Sequence, residues 1–314
     1  MTIIYNLQEL EKPLKNAVLT IGNFDGVHRG HMALLNKVKE ITKSINGHSA
    51  VMTFDPHPIK VMRPGNGPPL ITPIRQKLNL IQGAGIETIF CLAFTQNFAE
   101  MSAEAFVQDI LVNTIGISDL VVGYDYTFGH DRKGNIKLLQ EMEKALDFKV
   151  HVVSQVLVDG IPVSSSLIRE LVLEGKLDEA KKLLGRNYQV YGTVVTGKNR
   201  GARLLGYPTA NLKLVDELIP KLGVYAVTVL VDNQLYNGVA NIGYNPTFGN
   251  GAFSVETHIL DFSGNLIGKP IRVNFIQRLR DERAFDNVDE LARHIGQDIA
   301  QAKKLLKKLL DNPV

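Results

Sequence analysis

Short apolar runs alternate with segments of helical periodicity in the first half of the chain. The apolar runs predict strands, and between them apolar residues recur at helical spacing, as in residues 73–82 and 103–113. The predicted strands cover residues 17–21, 50–54, 88–94, 119–123 and 149–153. This alternation is typical of βαβ units, so we expect an α/β domain with a Rossmann-like parallel sheet and helices on both faces.

The second half of the chain is rich in β-branched runs that are separated by turn residues. These runs predict strands at residues 190–195, 224–231, 235–242, 254–260 and 271–276. Strands at this spacing favour a small antiparallel β-barrel. Asn287 and Glu290 then have the spacing of a capping box, which predicts a C-terminal helix that begins there.

The pattern changes between the two halves. Serines at residues 164–166 predict the cap of a helix over 167–173, and a second helix is predicted over 177–184. Residues 185–187 (G-R-N) then indicate a linker. We therefore predict two domains, residues 1–186 and residues 187–314, a division that suits a chain of 314 residues.

Composition narrows the class of protein. Hydrophobic residues make up 45% of the chain and charged residues 21%, as in ordinary globular proteins. The net charge of +3 gives no support for a nucleic-acid partner, and no apolar run is long enough to span a membrane. The first residues lack the pattern of a signal peptide, and one cysteine, Cys91, cannot form an intrachain disulfide. We expect a cytoplasmic protein, a monomer or weak homo-oligomer, that binds small molecules and keeps Cys91 buried.

The segment after the first predicted strand carries the clearest chemistry. Residues 22–31 read G-N-F-D-G-V-H-R-G-H and run into a predicted helix. Glycines let a ligand approach the backbone closely, and a helix N-terminus attracts phosphate through its free N–H groups and partial positive charge. His28 and His31 lie at this junction, where both imidazoles could donate hydrogen bonds to a polyphosphate. The segment therefore predicts a phosphate site.

Two more loops would reach the same edge of a parallel sheet, where ligands bind at the carboxyl ends of the strands. Residues 55–58 (D-P-H-P) follow the second predicted strand, and residues 123–134 follow the fourth. The longer loop sets aromatic residues beside glycines, which can form a slot for a flat ring. Ser166 and Arg169 begin the helix that follows, where a hydroxyl and a guanidinium could face a triphosphate.

The second half has a candidate site of its own. Residues 197–203 (G-K-N-R-G-A-R) form a basic glycine loop that suits phosphate but matches neither the P-loop nor G-x-G-x-x-G. Thr209 and Asn211 offer neutral oxygens that suit Mg²⁺, and Pro208 would fix the local turn. Glu256 points away from Val255 on a predicted strand and could take a proton from an attacking hydroxyl.

The order of motifs in the first half resembles a known family. G-x-F-D followed by H-x-G-H resembles the signature of the nucleotidyltransferase superfamily. Together with T-F-D-P-H-P, the 123–134 loop and V-S-S-S-L-I-R, it resembles the FMN adenylyltransferase domain of the bacterial bifunctional riboflavin kinase/FAD synthetase family. The resemblance implies that ATP and the leaving pyrophosphate are held by His28, His31, Ser166 and Arg169, with Gly22, Asn23, Phe24 and Asp25 lining the nucleotide site. It places the flavin among Phe54, His57, Pro58, Asp125, Tyr126 and Phe128.

The second half resembles the riboflavin kinase domain of the same family. The resemblance rests on G-K-N-R-G-A-R-L-L-G-Y-P-T-A-N-L, G-V-A-N-I-G-Y-N-P-T-F and V-E-T-H-I-L-D-F. It implies Thr209 and Asn211 on Mg²⁺ and phosphate, and Glu256 as general base on the riboflavin 5′-hydroxyl. The implied ATP-binding set is Gly201, Arg203, Gly206, Pro208, Thr209 and Asn211. The implied flavin-binding set is Arg280, Glu282 and Phe285.

Both resemblances together imply a bifunctional enzyme of flavin cofactor biosynthesis. The C-terminal domain would convert riboflavin and ATP to FMN, and the N-terminal domain would convert FMN and ATP to FAD and pyrophosphate, each step using Mg²⁺. Three alternatives stay open at this point: an enzyme with one idle domain, a flavin-binding regulator without ATP turnover, and an adenylyltransferase for another phosphorylated cofactor precursor.

Overall fold

The chain folds as two compact units in the computed structural model, which describes residues 2–196, 207–214, 217–244, 253–283, 285 and 287–311. The first unit comprises the described residues of 1–69 and 74–165, and the second comprises residues 70–73 and those of 166–314. The boundary at residue 186 stays a prediction. No helix within the described ranges has the length and the apolar character that crossing a membrane requires.

A parallel sheet of six strands forms the centre of the first unit. Its strands are β1 (Thr2–Ile4), β2 (Ala17–Ile21), β3 (His48–Phe54), β4 (Thr88–Leu92), β5 (Ile117–Gly123) and, after the short pair β6 (Thr127–Phe128) and β7 (Gly134–Asn135), β8 (Lys149–Val153). The spatial order is β1-β4-β3-β2-β5-β8, and every pairing is parallel. The predicted Rossmann-like sheet is thereby confirmed, while β1 went unpredicted and β4 ends two residues before the predicted 94.

Helices cover both faces of this sheet. They are α1 (Arg29–Ile45), α2 (Pro58–Met62), α3 (Ile74–Gly83), α4 (Gln96–Ala99), α5 (Ala103–Ala105) and α6 (Ile136–Leu146). Short 3-10 turns lie at Leu7–Glu9 and His130–Arg132, and α5 continues as a π-helix over Phe106–Ile115. Phe106 and Leu111 bury against one face, and Leu35 and Val38 of α1 bury against the other. Apolar strands covered on both sides explain the nearly continuous apolar runs of the sequence.

A hairpin and two helices follow the sheet. The hairpin strands are β9 (Leu157–Val158) and β10 (Ile161–Pro162), and the helices are α7 (Ser165–Glu174) and α8 (Leu177–Leu184). The helix predicted over 167–173 therefore begins two residues earlier, whereas α8 has the predicted bounds. Gly185 ends α8 in the left-handed conformation, with φ of 76°, as glycine commonly does at a helix C-terminus.

A closed antiparallel barrel forms the centre of the second unit. Its strands are β11 (Tyr188–Val195), β12 (Ala210–Lys213), β13 (Gly223–Val231), β14 (Gln234–Tyr244), β15 (Phe253–Ile259) and β16 (Pro270–Arg280). They close in the order β11-β12-β15-β14-β13-β16, which confirms the predicted barrel. The sequence pattern missed β12. Tyr188, Tyr225 and Phe275 are buried together, and the rings of Tyr225 and Phe275 meet edge-on at 5.2 Å.

The C-terminal helix α9 (Val288–Asp311) packs against the barrel. Its Ala302 and Leu306 are buried in one cluster with Val224 of β13. The backbone N–H of Glu290 donates to the Asn287 side chain at 2.8 Å, so Asn287 caps the helix as its position predicts. An apolar stripe on one side of α9 thus covers one side of the barrel.

Candidate active sites

Loops that follow three neighbouring strands meet at the carboxyl edge of the first sheet. Strand β2 lies between β3 and β5, and the chain runs outward from β2 through β3 to β4 before it returns to β5. The connections therefore diverge from the gap between β2 and β5. Open α/β sheets bind ligands at such a switch point. Residues 22–28, 55–57 and 124–126 all leave strands at this edge.

A tight turn connects β2 to α1. Phe24, Gly26 and Val27 have positive φ values of 49°, 90° and 37°, and the N–H of Val27 donates to the carbonyl of Phe24 at 3.1 Å. The Phe24 ring is fully buried under the turn. A Cβ on Gly22 would lie 3.2 Å from that ring, so glycine leaves room for it. The turn is therefore held by a buried aromatic anchor.

His28 and His31 form one stacked pair at the N-terminus of α1. Their ring centroids lie 3.6 Å apart with an interplanar angle of 14°. His28 also caps the helix, because its Nδ1 accepts the backbone N–H of His31 at 3.3 Å. A Cβ on Gly30 would lie 3.1 Å from the His28 ring. The structure thus brings both predicted histidines together where the helix dipole favours phosphate.

Three consecutive serines, residues 164–166, lie at the start of α7, the helix that carries the predicted Ser166 and Arg169. Ser166 is exposed and Arg169 half-buried in the first two turns of α7. Their neighbour Ser165 donates its hydroxyl to the main-chain carbonyl of Asp25 at 2.8 Å. Asp25 itself is buried. Ser165, which sequence reasoning did not select, therefore ties the turn after β2 to the start of α7.

The predicted flavin loop after β3 contains a cis peptide bond between Asp55 and Pro56. His57 caps the short helix α2, since its Nδ1 accepts the N–H of Ile59 at 3.2 Å, and Pro58 occupies the first helical position. His57 and Pro58 thus have a local structural role that accounts for the D-P-H-P pattern. Asp125, which follows β5, is exposed.

Aromatic rings form a continuous chain beside these loops. Phe54 contacts Phe94 and Phe98, with centroid distances of 5.4 and 5.5 Å. The chain continues from Phe98 through Phe106 to Phe128, and the Phe128 ring stacks on Tyr126 at 5.4 Å. Burial raises the pKa of the Tyr126 hydroxyl, which therefore stays protonated. Sequence reasoning found Phe54, Tyr126 and Phe128 but missed the three rings that connect them, namely Phe94, Phe98 and Phe106.

A buried lysine lies beneath the same loops. Lys77 of α3 is 5% exposed, and its Nζ donates to the carbonyls of Asn23 and Phe54, each at 3.1 Å. Burial lowers the pKa of Lys77, and nearby Cys91, Asp25 and Asp55 offset part of that decrease. Cys91 is buried as expected, and burial raises its pKa to about 11, so its thiol stays protonated at neutral pH. Sequence reasoning missed Lys77 because it appeared to be an ordinary helix residue.

The candidate kinase residues lie on neighbouring barrel strands. In the strand register, Glu256 of β15 is opposite both Asn211 of β12 and Asn241 of β14. Asn211 is 5% exposed, and its Oδ1 has no hydrogen-bond partner among the described residues. Thr209 is exposed immediately before β12. Neutral oxygens beside a carboxylate form a donor set that hard divalent cations prefer, so these residues fit Mg²⁺. Gly201, Arg203 and Gly206 lie outside the described residues.

A cavity of about 390 Å³ opens beside Thr209. Val194 and Val195 of β11 form one wall, and Thr257 and Ile259 of β15 form another. The loop after β15 closes a third side with Phe262, Ser263, Gly264, Asn265, Leu266 and Ile267. The volume and the mixture of apolar and polar walls suit a small ligand. Only Pro208 and Thr209 of its lining residues were selected from the sequence.

The predicted flavin residues at the end of β16 are organised by α9. Arg280 makes a two-pronged salt bridge to the buried carboxylate of Asp298, with a shortest N–O distance of 2.8 Å. The guanidinium groups of Arg280 and Arg283 lie over the Phe285 ring, at 5.6 and 4.8 Å from its centroid. Burial raises the pKa of Glu282. The structure thus brings Arg280 and Phe285 together, their flavin-binding role stays a prediction, and Asp298 is a partner that sequence reasoning missed.

Comparison with known proteins identifies the family of each half of the chain. A family model for FAD synthetase matches residues 10–167, and one for riboflavin kinase matches residues 184–306. The bifunctional riboflavin kinase/FMN adenylyltransferase of Pseudomonas fluorescens is 39% identical over 306 residues, covering 97% of this chain and 98% of its own. The protein of that name from Escherichia coli K12 is 36% identical over 302 residues, covering 96% of each chain.

A solved structure shows the same fold over nearly the whole chain. The crystal structure described as a macrolide-efflux protein from Streptococcus pneumoniae is 31% identical, has a TM-score of 0.85 and covers 96% of this chain and 98% of its own. That description names another activity, whereas the family models and the full-length relatives agree with each other in both halves. The histidine motif and the P-T-A-N motif therefore lie in matching domains, and this chain belongs to the bifunctional riboflavin kinase/FMN adenylyltransferase family.

Proposed function

We propose that this chain makes FMN and FAD from riboflavin and ATP. The second unit transfers the terminal phosphoryl group of ATP to the riboflavin 5′-hydroxyl, giving FMN and ADP. The first unit transfers the adenylyl group of a second ATP to the FMN phosphate, giving FAD and pyrophosphate. The observation that carries the proposal is the stacked His28–His31 pair at a helix N-terminus on the switch point of a parallel sheet.

Adenylyl transfer needs no protein nucleophile. An oxygen of the FMN phosphate attacks the α-phosphorus of ATP, and the bond to the bridging oxygen of pyrophosphate breaks. Negative charge grows on the leaving group, where His28 and His31 donate hydrogen bonds. Catalysis then rests on positioning and on fixed donors for developing charge. The Gly22–Asp25 turn lines the nucleotide, and the aromatic chain from Phe54 to Phe128 borders the flavin.

Phosphoryl transfer in the barrel needs a base and a cation. Glu256 accepts the proton of the riboflavin 5′-hydroxyl as that oxygen attacks the terminal phosphorus. Thr209 and Asn211 would hold Mg²⁺, which neutralises charge on the phosphates when it is bound. The orphaned Oδ1 of Asn211 supports this role. The cavity beside Thr209 accepts part of the nucleotide, with Pro208 and the glycine loop of Gly201, Arg203 and Gly206 completing the site.

Arg280, Glu282 and Phe285 border the flavin that is bound by the second unit. We propose that the protein works in the cytoplasm as a monomer or weak homo-oligomer. Its partners are small molecules, with neither nucleic acid nor a membrane among them, in agreement with the mild net charge of +3.

A flavin time course tests the proposed function. Purified protein is incubated with riboflavin, ATP and Mg²⁺, under air and under dithionite, and the products are separated by chromatography. FMN should appear first and FAD second. Formation of FMN without any FAD would refute the adenylyltransferase activity. Conversion of supplied FMN to FAD, with no conversion of riboflavin, would refute the kinase activity. Bound flavin with no conversion of either substrate would favour the flavin-binding regulator.

Two substitutions assign the activities to the two units. His31→Ala should lower FAD formation from FMN by about 10²–10³, the usual loss for one transition-state donor, while FMN formation stays at the parental rate. Glu256→Gln should lower FMN formation by about 10²–10⁴ while FAD formation from FMN is retained. Each variant is the control for the other. Parental rates of both reactions in either variant would remove that residue from the mechanism.

A further inference from the structure

Lys77 bonds the turn that borders the proposed nucleotide site and also the end of the strand that borders the proposed flavin site. Its Nζ donates to the carbonyl of Asn23, in the turn after β2, and to the carbonyl of Phe54, the last residue of β3. The Asn23 carbonyl also accepts the hydroxyl of Thr53 at 3.2 Å. One side chain therefore bonds the backbones from which the two substrate loops begin.

Packing alone does not account for an ammonium group at this position. Lys77 is 5% exposed, and a buried ammonium group destabilises the fold unless it is well paired, a cost that an apolar residue at this position would avoid. The charged or titratable groups that face it are Asp25 and Asp55, from the two loops, and the Cys91 thiol, from β4. Two carbonyl acceptors and two nearby carboxylates compensate the charge without an ion pair at bonding distance.

We propose that Lys77 is a positioning residue for adenylyl transfer, which it serves by fixing the turn after β2 relative to the end of β3. The inference rests on the proposed function of the first unit. In-line attack requires the FMN phosphate and the α-phosphorus of ATP to meet within a few tenths of an ångström of the reactive distance. A misplacement of about 1 Å costs about 10²-fold in rate. A side chain that donates to the backbone at the start of both loops restricts the movement of one loop relative to the other. Lys77 itself touches neither substrate.

The test compares Lys77→Met with Lys137→Met. Methionine keeps the length of the stem and removes the charge and every donor. Lys137, which is 85% exposed on α6, is the matched control in the same unit. Lys77→Met should lower kcat for FAD formation by about 10²-fold, because the two substrates are each bound but poorly aligned. The separate affinities for ATP and for FMN should change by less than about threefold, since each loop keeps its own contacts. Riboflavin phosphorylation by the same chain should be unchanged in both variants.

Several results would overturn the proposal. A parental kcat for Lys77→Met would exclude a positioning role. Weakened binding of ATP and FMN together with a lower Tm, at an unchanged kcat, would show that Lys77 only holds the fold. Absence of FAD from the unmodified chain would instead refute the proposed function, because that result does not depend on Lys77.

A pH profile tests the same residue without a substitution. Loss of the Lys77 proton removes the charge and one donor, so kcat for FAD formation by the unmodified chain should fall at alkaline pH. Burial lowers the Lys77 pKa below 10.5, so this limb should begin below that pH. Lys77→Met should lack the limb, and Lys137→Met should keep it. An alkaline limb that persists unchanged in Lys77→Met would overturn the assignment of that limb to Lys77.

Discussion

Replacing Gly30 by alanine should separate the stability of α1 from the activity that begins at its N-terminus. Gly30 is the second residue of α1 and lies between the two stacked histidines in the sequence. By helix preference alone, the change should stabilise the fold, because alanine loses less backbone entropy than glycine, by about 0.4–1 kcal/mol. The added Cβ, however, points at the His28 ring.

The magnitude follows from the geometry around His28. The Cβ would lie 3.1 Å from both Cε1 and Nδ1 of that ring, several tenths of an ångström inside ordinary contact. His28 has little room to yield, because it is 6% exposed, bonds the His31 N–H and stacks on His31 at 3.6 Å. Overpacking of this kind costs about 1–3 kcal/mol, so the net loss of stability, after the gain of about 0.4–1 kcal/mol from helix preference, should be about 0–2.6 kcal/mol. A shifted pair of donors should lower FAD formation by about 10–10²-fold.

The assay measures FAD formation from FMN, FMN formation from riboflavin and the midpoint of urea unfolding for each variant. Gly83→Ala is the matched control, because Gly83 ends α3 and its Cβ would meet nothing within 4 Å. It should leave both rates at the parental value. The reasoning is refuted if Gly30→Ala forms FAD as fast as Gly83→Ala does. A loss of FMN formation as well would show general unfolding instead of a local shift.

Two further predictions concern the second unit. Asp298→Ala should leave Arg280 without its buried carboxylate partner, which costs about 3–5 kcal/mol of stability for a fully buried pair and less here because Arg280 is 24% exposed. FMN formation should fall while FAD formation from FMN is kept, and equal losses of both activities would contradict this prediction. Burial raises the pKa of Glu217 to about 8, and its carboxylate accepts the Tyr191 N–H at 3.0 Å. The native state therefore holds a proton that the unfolded state loses, so the free energy of unfolding should fall as pH rises from about 4.5 to 8, and Glu217→Gln should flatten that slope in urea titrations.

The sequence predicts the bounds of those strands whose own residues carry a recognisable pattern. Strand β2 has the predicted bounds because its five residues form a buried, mostly apolar run that ends at a glycine turn, and β8, where Val150, Val152 and Val153 alternate with or follow polar residues, also has the predicted bounds. Strand β1 has three residues and becomes a strand only by pairing with β4, which is distant in sequence. Strand β12 has four residues and pairs with β11 and β15. Short strands of this kind take their structure from partners that local periodicity does not reveal.

The residues of the candidate sites likewise divide into those with local sequence signals and those with distant partners. His28 and His31 are found from the sequence because a glycine turn, a cap and a helix start are all local features. Lys77 and Asp298 are missed because their partners lie far along the chain, at Asn23 and Arg280. A lysine on one helix and an aspartate on another give no signal until the fold buries them. Long-range polar contacts of buried charges are therefore what the structure adds.

The proposed mechanisms of the two units differ in whether a side chain accepts a proton, so the rates of the two reactions should respond differently to pH. In the proposed mechanism, the first unit acts through fixed donors, the stacked His28–His31 pair among them, and transfers no proton to a side chain. In the same proposal, the second unit transfers the proton of the riboflavin 5′-hydroxyl to Glu256. Because Glu256→Gln removes the proposed base but leaves the first unit intact, the pH profile of FMN formation should change while that of FAD formation stays the same. Parallel changes in both profiles would show that the two activities share a titrating group, against the separation argued from their residues.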